Sequence, residues 1–154
     1  MRYILAALAL TLISPACTAG IAASELSIGG VASGATETSV VKLLGSPSSR
    51  VETGEGTELH YPGLVVTVGW LEQEAPGRQR RVFAIKGTGR NACTPKGLCP
   101  GMPSSVATRL YGSTKPARRE TGTFLEYQPA RMNCWLQVSA PADVIQSVAV
   151  ACQP

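Results

Sequence analysis

Gly34-Ala35-Thr36-Glu37-Thr38-Ser39-Val40-Val41-Lys42-Leu43-Leu44-Gly45-Ser46 returns later as Gly101-Met102-Pro103-Ser104-Ser105-Val106-Ala107-Thr108-Arg109-Leu110-Tyr111-Gly112-Ser113. A second pair follows it: Gly56-Thr57-Glu58-Leu59-His60-Tyr61 and Gly122-Thr123-Phe124-Leu125-Glu126-Tyr127. The offsets are 67 residues from Gly34 to Gly101 and 66 from Gly56 to Gly122. Near-equal offsets in two separate segments predict a tandem duplication of a small unit.

Each unit opens on a helix signal. Thr36 is placed to cap the first helix, with Glu37 in its first turn, where the helix dipole favours an acid. Val40, Val41, Leu43 and Leu44 form an apolar stripe at helical spacing, and Gly45 followed by Pro47 stops the helix. The second unit repeats this with Pro103 at the start, Val106, Leu110 and Tyr111 on the stripe, and Gly112 at the stop. Helices this short form by docking on something larger. The partner is a sheet, because β-branched and aromatic runs follow at Gly56–Tyr61, Leu64–Trp70 and Arg80–Ile85. The second unit offers Gly122–Tyr127, Met132–Val138 and Val144–Cys152. The expected fold is α+β: two tandem repeats, each a short helical segment packed on an antiparallel three-stranded meander. The boundaries are 1–23 for a signal peptide, 24–88 for the first repeat and 89–154 for the second.

Alternation along the strands assigns their faces. If Met132, Cys134, Leu136 and Val138 point to the helix, then Asn133, Trp135 and Gln137 line an open face. Trp135 among polar neighbours is a partner-contact candidate, with a place between the two repeats as its alternative. Trp70 runs in phase with Val66 and Val68 and is expected in the core.

The Gly34–Pro47 pattern, Gly-x-x-x-x-x-Val-x-x-Leu-Leu-Gly-Ser-Pro, followed by Leu59-x-Tyr61 and two strands, resembles the SmpA/OmlA (BamE) outer-membrane lipoprotein domain. Two such units in tandem are also similar to the secreted β-lactamase-inhibitory protein fold. The resemblance implies a helix-on-sheet architecture and a binding rather than a catalytic role. It implies no particular binding residues.

Met1-Arg2, the apolar run Ile4 to Ile13 and the small residues after it read as a secretory signal peptide. The run falls short of the roughly 20 residues a membrane span needs, and no later segment supplies one after signal cleavage. Cys17 is a candidate lipidation site, although Ser14 and Pro15 ahead of it fit a lipobox poorly. The expected location is periplasmic or secreted, ahead of an outer-membrane lipoprotein. Cys93, Cys99, Cys134 and Cys152 then form an even set, which in an exported chain implies disulfides. The Pro/Gly-containing loop Cys93–Cys99 closes readily on itself and leaves Cys134 with Cys152, while the two crossed connectivities stay open. A tight turn pairing Val138 with Val144 would set Cys134 two pairs away from Cys152, so this bridge requires a bulge or a register shift.

Charge is divided along the chain. From Ser24 to Pro76 two bases stand against seven acids, a net −5; from Gly77 onward eleven bases stand against three acids, a net +8. Such a polarised molecule steers toward an acidic partner, and Arg78, Arg80 and Arg81 are candidate contacts for a protein or an anionic lipid surface. Nucleic acid is not expected in an exported chain without aromatic–basic interleaving. Catalytic equipment is sparse. His60 is the single histidine and Asp143 the single aspartate, and Gly87-Thr88-Gly89 lacks the strand–loop–helix context of a phosphate cradle. No metal site, cofactor or enzymatic activity is expected. The function expected is a non-enzymatic module of the bacterial cell envelope that binds a protein partner through its open sheet faces. The alternative is a soluble inhibitor of an exported hydrolase such as a β-lactamase, lysozyme or protease.

Overall fold

Valines and isoleucines at alternate positions build the centre of a single large sheet. The computed structural model describes residues 20–70 and 79–153; residues 1–19, with the signal-peptide segment and Cys17, lie outside the described residues. A 3-10 turn, Ala23–Glu25, leads into a small hairpin of β1 (Ser27–Ile28) and β2 (Val31–Ala32). Then come helix α1 (Glu37–Leu44) and the strands β3 (Ser49–Glu52), β4 (Thr57–Tyr61), β5 (Leu64–Gly69) and β6 (Arg81–Gly87). Helix α2 (Ser105–Tyr111) is followed by β7 (Ala117–Arg119), β8 (Gly122–Tyr127), β9 (Cys134–Ser139) and β10 (Ser147–Cys152).

The strands from β3 onward form one antiparallel sheet of eight, in the order β3-β4-β5-β6-β10-β9-β8-β7. This corrects the expected α+β pair of three-stranded meanders. The chain is mostly β, each meander gains an edge strand (β3 or β7), and the two merge where β6 pairs with β10. The physical reason lies in β6 and β10 themselves. Ile85 and Val150 are register partners, and both are about 1% exposed. Left as outer strands of two small sheets, they would present unpaired backbone and apolar side chains to water.

The helices form as their caps dictate. Thr36 is extended, its Oγ1 accepts from the Ser39 amide at 3.2 Å, and Gly45 ends the helix at φ 81°. α2 lacks a side-chain cap at Ser104 but has the same glycine stop, Gly112 at φ 89°. The core lies between the sheet and the layer that holds the helices, the β1–β2 hairpin and the 93–102 loop. It gathers Leu59, Val66, Val68, Val82, Ile85, Leu136, Val138, Val148 and Val150 from the sheet, with Ile28, Val31, Val40, Leu98 and Ala107 from that layer. The β4–β5 turn requires glycine. Gly63 has φ +71°, and a Cβ there would stand 2.6 Å from Gly89 Cα.

Two disulfides close, Cys93–Cys99 and Cys134–Cys152. Such bridges belong to chains that fold in an oxidising compartment, and they mark this one as exported. The register shift needed for the second bridge comes from the β9–β10 connection. A 3-10 turn, Pro141–Asp143, lengthens it, and Ile145 turns into the core at 1% exposure while trading backbone hydrogen bonds with Gly101 and Met102. Val138 therefore pairs with Val148 rather than Val144, and Cys134 faces Cys152 directly. Among the described residues no helix is long and apolar enough to cross a membrane.

Candidate partner-binding site

Among the described residues, the helices and loops cover one face of the sheet and leave the other bare. Alternation brings the intervening residues of each strand to that bare face. Its middle is low and weakly polar: Val65 and Thr67 on β5, Ala84 on β6, and Ala149 and Ala151 on β10 are all half-buried, with exposed Lys86 rising among them. Taller polar groups flank this floor. On the β4 side stand Glu58 and His60, joined Oε2 to Nε2 at 2.9 Å. On the β8–β9 side stand Glu126, Gln137 and Trp135, where Trp135 pairs across to Ala151 and Gln137 to Ala149.

The group around Trp135 is tightly organised. Arg119, on the edge strand β7, donates from Nε to Glu126 Oε1 at 2.9 Å and from Nη2 to Oε2 at 2.6 Å. Gln137 Nε2 donates to the same Oε1 at 2.8 Å. Arg119, by donation and charge, holds the Glu126 carboxyl below the usual carboxylate range, against partial burial and with help from Gln137. The guanidinium carbon lies 5.7 Å from the centre of the Trp135 ring, a cation–π approach. The indole nitrogen of Trp135 is buried and has no hydrogen-bond partner among the described residues. Beside this group is an open hollow of about 490 Å³, lined by Thr114, Lys115, Arg119, Glu126, Asn133 and Trp135 among others.

The expected contact residues divide between places. Trp135, Gln137 and Asn133 come together at this end, although Asn133 precedes β9 rather than lying in it. Arg78 lies outside the described residues. Arg80 is held under the start of α1, where it donates to the Oγ1 of buried Thr57 and stands 3.9 Å from Glu37 and 3.8 Å from Glu52. Arg81 donates to the Gly34 carbonyl at 2.9 Å. Arg80 and Arg81 thus have partners of their own and sit away from Trp135. Trp70 leaves the core, contrary to expectation, and is 52% exposed because β5 ends at Gly69. Sequence reading missed Lys115, Arg119 and Glu126 as site residues. Lys115 precedes β7 and Glu126 lies in β8, but Arg119's own strand, β7, has no apolar alternation to announce it, and only its pairing with β8 shows which way Arg119 points.

His60 contacts Glu58 on the exposed side of its strand, between core residue Leu59 and half-buried Tyr61. Among the described residues no three His, Cys, Asp or Glu side chains gather as a metal site. The Thr88 and Gly89 amides both donate to the Gly63 carbonyl at 2.9 Å, so the Gly87–Gly89 turn is spent on the neighbouring loop.

No family model matches the chain, and no curated protein does. Among solved structures, an extracellular protein containing an SCP domain from Bacillus anthracis str. Ames is similar, with a TM-score of 0.46 and 9% sequence identity. That match covers 99% of this chain and 50% of the other, so this chain spans half that protein's length.

Proposed function

We propose that this exported chain is a non-enzymatic module of the bacterial cell envelope or its surroundings that binds a protein partner through the bare face of the sheet. One observation carries the reading: among the described residues an eight-stranded sheet is covered on one side only, and its other side has a low floor, with Ala84, Ala149 and Ala151 in it, edged by Trp135, Gln137 and Glu126. A floor of small side chains lets another chain approach the backbone closely, while a flanking indole supplies a rigid anchor of large area. The likeness of Gly34–Pro47 to an envelope lipoprotein domain points the same way.

The test compares three proteins as bait on envelope extracts: wild type, Ala149→Arg on the bare face, and Leu43→Ala on the exposed side of α1. The reading expects a retained protein that Ala149→Arg loses and Leu43→Ala keeps. With that protein purified, amide exchange should slow along β9, β10 and β6. Equal retention by all three, or slowing confined to the helices, would overturn it.

A further inference from the structure

We propose that the hollow at the β7–β9 end of the bare face receives a carboxylate, an aspartate or glutamate side chain on a loop of the partner protein. This rests on the reading of the bare face as a docking surface. Glu126 accepts three times, twice from Arg119 and once from Gln137, and its side chain is only 15% exposed. Arg119 is 47% exposed at the side chain, and its Nη1 makes no hydrogen bond among the described residues. The pair is therefore satisfied on its acidic side and open on its basic side.

Arg119 is also fixed in place. Two bonds to Glu126 and the Trp135 ring beneath it leave the guanidinium little rotational freedom to lose when a ligand arrives. A planar fork held this way matches a carboxylate better than a mobile ammonium does. Exposed Lys115 on the same wall adds a second cation, and Glu126 is the only carboxylate among the described lining residues. Charge over the whole sheet agrees. From Ser105 to Cys152, which holds β7 to β10, five bases stand against three acids, a net +2. Glu37 to Gly69, which holds β3 to β5, has two bases against four acids, a net −2. An acidic loop approaching the bare face is drawn to this end and repelled from the other.

The test uses the full chain labelled with ¹⁵N and follows the indole N–H signals of its two tryptophans, with Trp70 as the internal reference. The probes are N-acetyl-aspartate N-methylamide, the asparagine analogue and inorganic phosphate. The expected result is a saturable shift of the Trp135 signal with the aspartyl probe while Trp70 stays still. The asparaginyl probe should bind about tenfold more weakly, equivalent to about 1.4 kcal/mol. Lys115→Gln, which leaves the Arg119–Glu126 pair intact, should weaken the aspartyl probe several-fold, and Arg119→Gln should abolish its effect. A still Trp135 signal, equal shifts with the two amino-acid probes, or a tenfold preference for phosphate would each overturn the assignment. The titration reads the hollow alone, so its failure is separable from failure of the bait experiment.

Discussion

Cys134 and Cys152 face each other across β9 and β10 as register partners, their Cα atoms 3.9 Å apart. The bridge closes a sequence separation of 18, against 6 for Cys93–Cys99. In the chain-entropy account, the longer loop restrains the unfolded chain more, by about 3 kcal/mol against about 2.4. The double variant Cys134→Ala/Cys152→Ala should therefore lose about 3 kcal/mol, and Cys93→Ala/Cys99→Ala somewhat less. Urea unfolding at constant pH, with free thiols blocked, measures both. A larger loss from the shorter loop would show that its bridge acts chiefly on the folded state, by holding the loop that carries buried Thr94 and Leu98.

The two helices give a paired comparison. The Thr36 side chain satisfies the Ser39 amide, whereas Ser104 makes no side-chain cap and donates instead to Asp143 Oδ1 at 3.3 Å. Thr36→Ala should cost about 1 kcal/mol, the usual value of an N-cap. Ser104→Ala should cost less than half of that. Calorimetric melting of the two variants side by side decides the matter, and equal losses would mean that the cap of α1 adds nothing beyond exposed polarity.

A buried relay joins the beginning of the described chain to α2. The Leu98 amide donates to Thr94 Oγ1 at 3.1 Å, Thr94 bonds the Tyr111 hydroxyl at 2.6 Å, and that hydroxyl donates to Glu25 Oε2 at 2.7 Å. Glu25, Thr94 and Tyr111 are all at most 6% exposed. Burial foremost, with Glu25 adding to it, pushes the Tyr111 hydroxyl well above the usual tyrosine range, so it remains a donor at any ordinary pH. Tyr111→Phe strips Glu25 of that donor and should cost about 1–3 kcal/mol, the desolvation penalty of an orphaned group. Glu25→Gln keeps an acceptor and should cost less. Denaturant midpoints in the opposite order would sink the relay as a stabilising element.

Much of the local structure was legible because its causes are local. Thr36, Gly45 and Gly112 act within one helical turn, and β8 was expected at the bounds it has, Gly122–Tyr127. What could not be read was pairing between distant strands. β3 is exposed at all four positions, and β7 has only three residues, so neither shows alternation against a core. The β6–β10 pair, which turns two meanders into one sheet, joins segments with no shared pattern beyond apolar alternation, which any neighbour would satisfy. Trp70 went astray for a related reason. Its phase with Val66 and Val68 promised burial, but the register shift between Thr67 and Val68 and the end of β5 at Gly69 release it to solvent. The candidate site followed the same division. Trp135 and Gln137 could be placed by parity along β9, whereas Arg119 needed the unforeseen edge strand.

The Arg119–Glu126 pair makes stability depend on acid in a stated direction. Arg119 lowers the Glu126 pKa in the folded protein, while the unfolded chain has a carboxyl near the ordinary value of about 4.3. The folded state thus binds the proton less readily. The stability this pair contributes is complete above the unfolded value and drains away as pH falls through the lower, folded one. Glu126→Gln removes the titrating group, so its melting temperature should fall less steeply than wild type between about pH 5 and pH 2. Above about pH 6 wild type should melt higher, because it then has its full ion pair and the variant has none, and the two curves draw together in acid. Arg119→Gln should also flatten the acid limb, since it restores Glu126 toward its unfolded affinity for the proton. Melting curves taken across that range on the three proteins test the sign. Parallel curves would mean that the pair orients Arg119 over Trp135 without storing stability.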